Sequence, residues 1–156
     1  MLRDVAEGIA EAIRSDEILG MTNHITVAVE DKANVAFEVE QAIGIMGVFV
    51  LVSIIEFRRK EGSPLVQGTL EVQISCFENP SLNRTDDADI TAQGAAERIA
   101  EILHYRQFPF FVGQMIFKEF SRDDVDEANI VRSNYEVNTR LGYENKYFDK
   151  TKGQER

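Results

Sequence analysis

A single cysteine, Cys76, leaves no internal disulfide and no cysteine-cluster metal site open to this chain. Only two histidines occur, His24 and His104, and neither stands at a metal-binding spacing from other ligand types. Basic residues are the scarcer charge: 17 Lys and Arg face 27 Asp and Glu, for a formal net charge of −10. General nucleic-acid binders draw affinity from cations on phosphates, so that class is disfavoured; solubility, or passage close to DNA without adhesion, is compatible. The longest apolar run, over 42–55, is interrupted by Gly44, Gly47 and Ser53. It is too short to span a bilayer and reads as a helix end passing into a buried strand. Residues 1–14 carry Arg3, Asp4, Glu7 and Glu11 among their apolar residues, unlike a signal or transit peptide, which predicts a cytoplasmic protein without a membrane partner. A nucleophile elbow, a P-loop, a dinucleotide fingerprint and a solenoid-period repeat are also missing. The expectation is a protein that is not an enzyme and carries no metal or cofactor.

What is present is ordinary for a globular domain: 44% hydrophobic and 28% charged residues in 156. One core is enough at this length, since such a chain buries roughly 70% of its unfolded surface. Leu2, Val5, Ile9 and Ile13, with Ala6 and Ala10, form the apolar face of a first helix that is expected to end near Gly20. Ile25, Val27 and Val29 alternate with polar or small residues as a short strand. Val35, Val39, Ala42, Ile43 and Met46 suggest a second helix, with Gly44 and Gly47 as terminators. The stretch 48–57 is apolar on both alternation faces and reads as a central strand.

The polar segment 58–64 is expected to be a hairpin loop leading into a strand over 65–77. In that strand Leu70, Val72, Ile74 and Cys76 face the core, and Glu71, Gln73 and Ser75 point away. Cys76 is therefore expected to be buried and inert. After an Asn79-Pro80 turn, Thr85, Asp86, Asp87 and Asp89 are candidate caps for a helix carrying Ala92, Ala95, Ala96, Ile99, Ile102 and Leu103, ended by 107–109. A second hairpin pairs 111–120 with 130–141 through an exposed acidic connection over 121–129. The fold class is α+β, a largely antiparallel sheet with helices packed against it in a two-layer sandwich, in the order α-β-α-β-β-α-β-β. A single domain over 1–142 is followed by an extended or flexible tail, 143–156.

Charge offers the candidate sites. Asp86, Asp87 and Asp89 cluster, but without the glycine and closing glutamate of an EF-hand, so capping is the reading they favour. Arg58, Arg59 and Lys60 are the one basic run in the body of the chain, at an expected hairpin tip, where such a run ordinarily discourages strand pairing. The acidic connection holds Asp123, Asp124, Asp126 and Glu127. In an assembled ring a basic tip facing a neighbour's acidic loop would make a reasonable contact, which makes these seven residues the candidate subunit contacts. A concave site in which Glu38, Glu40 or His104 converges with Asp or Ser groups would instead point to a small ligand-binding domain or enzyme.

The succession of a strand, Glu78-Asn79-Pro80, Leu82-Asn83-Arg84, and a helix with Ala95-Ala96-Glu97 closing at Leu103-His104 resembles tail terminator, or tail completion, proteins of tailed phages and prophages. The likeness covers about 65–141, including the strand from Tyr135 to Leu141; Asn-Pro turns also occur in many unrelated proteins. The resemblance implies an α+β virion protein without an active site. It further implies a homo-oligomeric ring, such as a hexamer, that caps the tail tube and offers a surface to the head connector while DNA passes through. Its partners would be the tail tube protein and a head-completion or connector protein, and its location the virion tail after assembly in the host cytoplasm. A head–tail connector or baseplate-associated role is the alternative within the same class.

Overall fold

A computed structural model of the protein describes residues 2–21, 25–30, 47–80, 90–109, 111–125 and 128–140. The described elements are α1 (Leu2–Arg14), α2 (Glu17–Met21), β1 (Ile25–Val29), β2 (Val48–Arg59), β3 (Gln67–Glu78), α3 (Ala92–Leu103), β4 (Ile116–Val125) and β5 (Ala128–Arg140). The helix expected over 33–46, the Asp86, Asp87 and Asp89 cluster, and the tail lie outside the described residues.

The strands form one sheet in the order β1-β2-β3-β5-β4. Only β1–β2 is parallel; the other neighbours are antiparallel, as expected for a chain dominated by two hairpins. The fold is α+β. α1 lies over β1 and β2 and α3 over β3 and β5, and both contribute to one core with Val50, Val52, Leu70, Ile74, Val131 and Tyr135. The opposite sheet face carries a second buried apolar cluster, Phe49, Leu51, Phe77 and Ile130.

The alternation in β3 is as read: Leu70, Val72, Ile74 and Cys76 are fully buried on the helix side. Burial pushes the Cys76 thiol up to about 12, so almost none of it is thiolate near neutrality. Native protein is therefore expected to leave a thiol reagent unreacted at pH 8 and to consume one equivalent per chain once denatured. Stoichiometric labelling without denaturant would contradict this burial.

Several boundaries differ from the sequence expectation. The first helix stops at Arg14 instead of near Gly20, because Asp16 accepts the Leu19 N–H at 3.0 Å and starts α2. Asp16 also accepts a two-pronged contact from Arg98 of α3, at 3.0 and 2.7 Å, which ties the start of α2 to α3 within the helical layer. The Arg98 guanidinium holds the Asp16 carboxyl below its usual range.

The cap of α3 is Thr91, not one of Thr85, Asp86, Asp87 or Asp89; its Oγ1 accepts the Gly94 N–H at 3.0 Å. Thr91 stands immediately before the apolar stripe, where the unpaired N–H groups begin. The helix ends at Leu103, ahead of the expected 107–109 terminator. Tyr105 then turns the chain with a φ of 64°, a left-handed conformation that helix ends more often give to glycine.

The second hairpin is also shifted. β4 begins at Ile116, and Phe111 packs in the core outside any strand, edge-on to Phe108 at 5.6 Å. Most of the expected 121–129 connection is strand, since Ser121, Arg122, Asp123 and Asp124 pair with Arg132, Val131, Ile130 and Asn129. On a sheet edge the backbone pairs with one neighbour while charged side chains stay in water, so the composition of a loop occupies a strand.

β2 is buried on both faces only from Val48 to Ser53. Its register with β3 skips at Ile55, a bulge that moves the core-facing positions from Ile54 to Phe57. Both outer strands have a side chain on their backbone. Arg14 donates to the Val27 carbonyl of β1 at 2.7 Å, and His104 Nδ1 accepts the Phe117 N–H of β4 at 3.0 Å.

Candidate functional site

Strand order decides where the candidate contacts sit. In β3, Gln67 lies opposite Arg140 and Glu78 opposite Asn129, so the β2–β3 tip and the β4–β5 turn occupy opposite ends of the sheet. Twelve residues of β3 separate them, about 40 Å at ~3.3 Å per residue. The basic and acidic runs therefore mark two poles of one subunit and cannot meet within it.

At the basic pole the strand pairing closes with the Lys60 N–H on the Gln67 carbonyl at 2.7 Å, and residues 60–66 form the tip. Gly62 turns it with a φ of 81°. Arg59 donates to the Ser63 carbonyl at 2.9 Å, and neither Arg59 nor Lys60 has a carboxylate partner among the described residues. Arg58 is different and corrects the expectation that it belongs to the tip. It lies within β2, where its guanidinium contacts Glu56 at 2.7 Å, Glu71 at 3.2 Å and Glu136 at 3.3 Å.

The reason is register: Glu56, Glu71 and Glu136 line up across three adjacent strands, and like charges directly opposite one another repel. Arg58 bridges all three, with Lys118 within 3.9 Å of Glu136 on the far side. These carboxylates in turn raise the ionisation of Arg58, Glu56 foremost. Its role here is to knit β2, β3 and β5.

The tip also carries apolar surface that sequence reading did not single out. Leu65 and Val66 are 47% and 48% exposed, and Val112, in the loop before β4, is 52% exposed. The Val112 and Gly113 N–H groups both reach the Asn138 carbonyl, at 3.2 and 3.0 Å, which brings that loop to the same end of the sheet. Lys60, Gln67, Gly68, Val112, Asn138 and Thr139 line an open depression between tip and loop. The available signal was the Leu65-Val66 pair directly after Pro64, which reads equally well as the start of a strand.

At the acidic pole Asp123 accepts from Arg132 at 3.2 Å, and Asp124 is exposed and makes no ion pair among the described residues. Phe120, 37% exposed, lies on the same strand. Asp126 and Glu127 lie outside the described residues.

Of the residues named for a pocket, His104 alone is described. His104 is exposed at the end of α3, bonded to the Phe117 N–H and stacked on Tyr105 at 4.1 Å; Glu38 and Glu40 lie outside the described residues. A second depression, lined by Leu2, Arg3, Ala6, Val29, Glu30, Val52 and Ile54, is open and mainly apolar in side-chain type. Among the described residues no group of three or more His, Cys, Asp or Glu could hold a metal ion, and no helix is long and apolar enough to cross a membrane.

The Glu-Asn-Pro junction has a structural role that its resemblance did not specify. Glu78, buried at the end of β3, points to the helix side, and its Oε1 accepts the Ala92 N–H at the start of α3 at 3.0 Å. The motif thus locks strand to helix across the intervening chain.

By class, the architecture is a mixed five-stranded α+β sheet with a helical layer, and among the described residues its candidate site is a pair of oppositely charged ends. No family model matches the chain, and no curated protein matches it. A solved chain from a structure titled "Virion of native gene transfer agent (GTA) particle" shares the fold. The TM-score is 0.56 over 85% of this chain and 91% of that one, with 12% sequence identity.

Proposed function

We propose that this protein is a structural component of a phage-like virion, and specifically a tail terminator that caps the tail tube as a ring and joins it to the head connector. The observation that carries the reading is the fold shared with a virion chain over most of both lengths. It agrees in kind with the resemblance of the Glu78-Asn79-Pro80 junction and the strand–helix–hairpin order to tail terminators. The role works by binding and needs no catalytic step. Its partners are further copies of the chain, the tail tube protein and a head-completion or connector protein. A net charge of −10 suits a ring through which DNA slides without adhering.

Polymerising tail tube protein in the presence of the purified chain tests this reading by electron microscopy. The expected result is shorter tubes, each with extra density at one end. Tubes of unchanged length and bare ends would overturn the terminator role. Density confined to the distal end would instead favour the baseplate-associated alternative, and density on isolated connectors alone a head–tail connector.

A further inference from the structure

We infer that the β2–β3 tip docks onto the β4 edge of a second copy of this chain, making a head-to-tail contact with an apolar centre and a charged rim. This deepens the ring reading and rests on it for its biological setting, but the contact itself follows from four observations. First, the two ends lie about 40 Å apart on one subunit, at ~3.3 Å per strand residue, so each copy can give with one and receive with the other. Second, the charges are complementary: among the described residues Arg59 and Lys60 have no carboxylate partner, and Asp124, beside Asp123, makes no ion pair.

Third, each end offers exposed apolar surface next to its charges. Leu65, Val66 and Val112 stand beside the cations, and Phe120 is on the strand that bears the acids. A charged rim around an apolar centre is the usual anatomy of a specific protein contact. Fourth, among the described residues β4 is an outer strand paired with β5 alone, and beyond the Phe117 N–H held by His104 its stretch from Glu119 to Asp124 pairs with no other described strand, so a partner reaches that stretch without displacing a described element. A contact between different surfaces repeats from copy to copy until it closes into a ring or continues as a filament. Arg58 takes no part, because its guanidinium is already held by three carboxylates of its own sheet.

The test is a charge swap read by light scattering on the full chain. Wild type is expected to self-associate, and to do so less as salt rises. R59E/K60E and D123K/D124K should each lose at least tenfold in association while keeping wild-type circular dichroism. An equimolar mixture of the two should recover assembly, because the acidic tip of one variant then faces the basic edge of the other and the remaining wild-type ends also match. L65S/V66S should weaken association at least tenfold with its charges intact.

Wild type that stays monomeric, or variants that assemble like wild type, would overturn the contact. A mixture of well-folded variants that remains monomeric would overturn the head-to-tail pairing. These outcomes are separable from the terminator reading, which is decided by tube length and tube-end density: rings that persist in every variant remove this contact and leave that role standing.

Discussion

Gly68→Val is expected to cost about 3 kcal/mol of stability, because backbone rather than side chain occupies the place its Cβ would take. A Cβ built at Gly68 runs into the Arg58 carbonyl oxygen and lies 2.8 Å from the Arg58 carbonyl carbon and 2.9 Å from the Arg59 Cα. Flexible side chains can move aside; a paired strand cannot. Gly68 is held opposite Arg59 on one side and Thr139 on the other, so β2 and β5 grip it from both sides. Relief requires parting β2 from β3 near the tip, which would also pull Arg58 away from Glu71. Urea denaturation checks this through a lower midpoint at unchanged slope. Gly68→Ala should show the same loss in smaller degree, and a valine variant within 0.5 kcal/mol of wild type, about the spread of a neutral surface change, would refute the close approach.

Glu78→Ala should cost about 2 kcal/mol, the worth of a buried hydrogen bond to a carboxylate at a helix start. Its Oε1 meets the Ala92 N–H at 3.0 Å, and that N–H is among the first four of the helix, which have no intrahelical acceptor. Thr91 caps the Gly94 N–H separately, so α3 keeps one cap when the other is removed and the variant should still fold. Glu78→Gln retains a carbonyl oxygen at the same reach and should lose less than half as much. Thermal or chemical denaturation of the three proteins orders them wild type, Gln, Ala; equal stabilities would show that the contact contributes nothing.

Alternation alone makes much of the sheet legible. In β3 the apolar residues Leu70, Val72, Ile74 and Cys76 name the core face unaided, because side chains in a strand repeat every second residue. Two steps further the same parity points Glu78 beneath α3, yet an acid at a core-facing position looks like the end of a strand. The bulge in β2 was hidden for a different reason. Ser53, Ile54, Ile55, Glu56 and Phe57 fit either register until pairing with Val72 and Glu71 shows that Ile55 is the extra residue. Asp123 and Asp124 have the composition of a loop, and only their pairing with β5 makes them strand.

The candidate contacts were legible as charges but not as poles. Their placement depends on β3 lying beside β5, a pairing between residues some sixty positions apart that no local pattern records. The same long-range pairing removed Arg58 from the tip, since Glu136 reaches it only through β5. Leu65, Val66 and Val112 were invisible as surface for the converse reason, because apolar residues near a strand are ordinarily taken as core.

The side chains on the two outer strands bear on how this protein would fail. Arg14 belongs to α1 and His104 follows α3, so the layer that covers the core also occupies a backbone group on each rim of the sheet. Loosening of α1 alone would strip core cover and uncover the β1 rim in one event, coupling local opening to exposed strand backbone. Aggregation during storage or heating should accordingly begin from partly opened molecules in which the amino-terminal helix has lifted, well before the sheet itself melts.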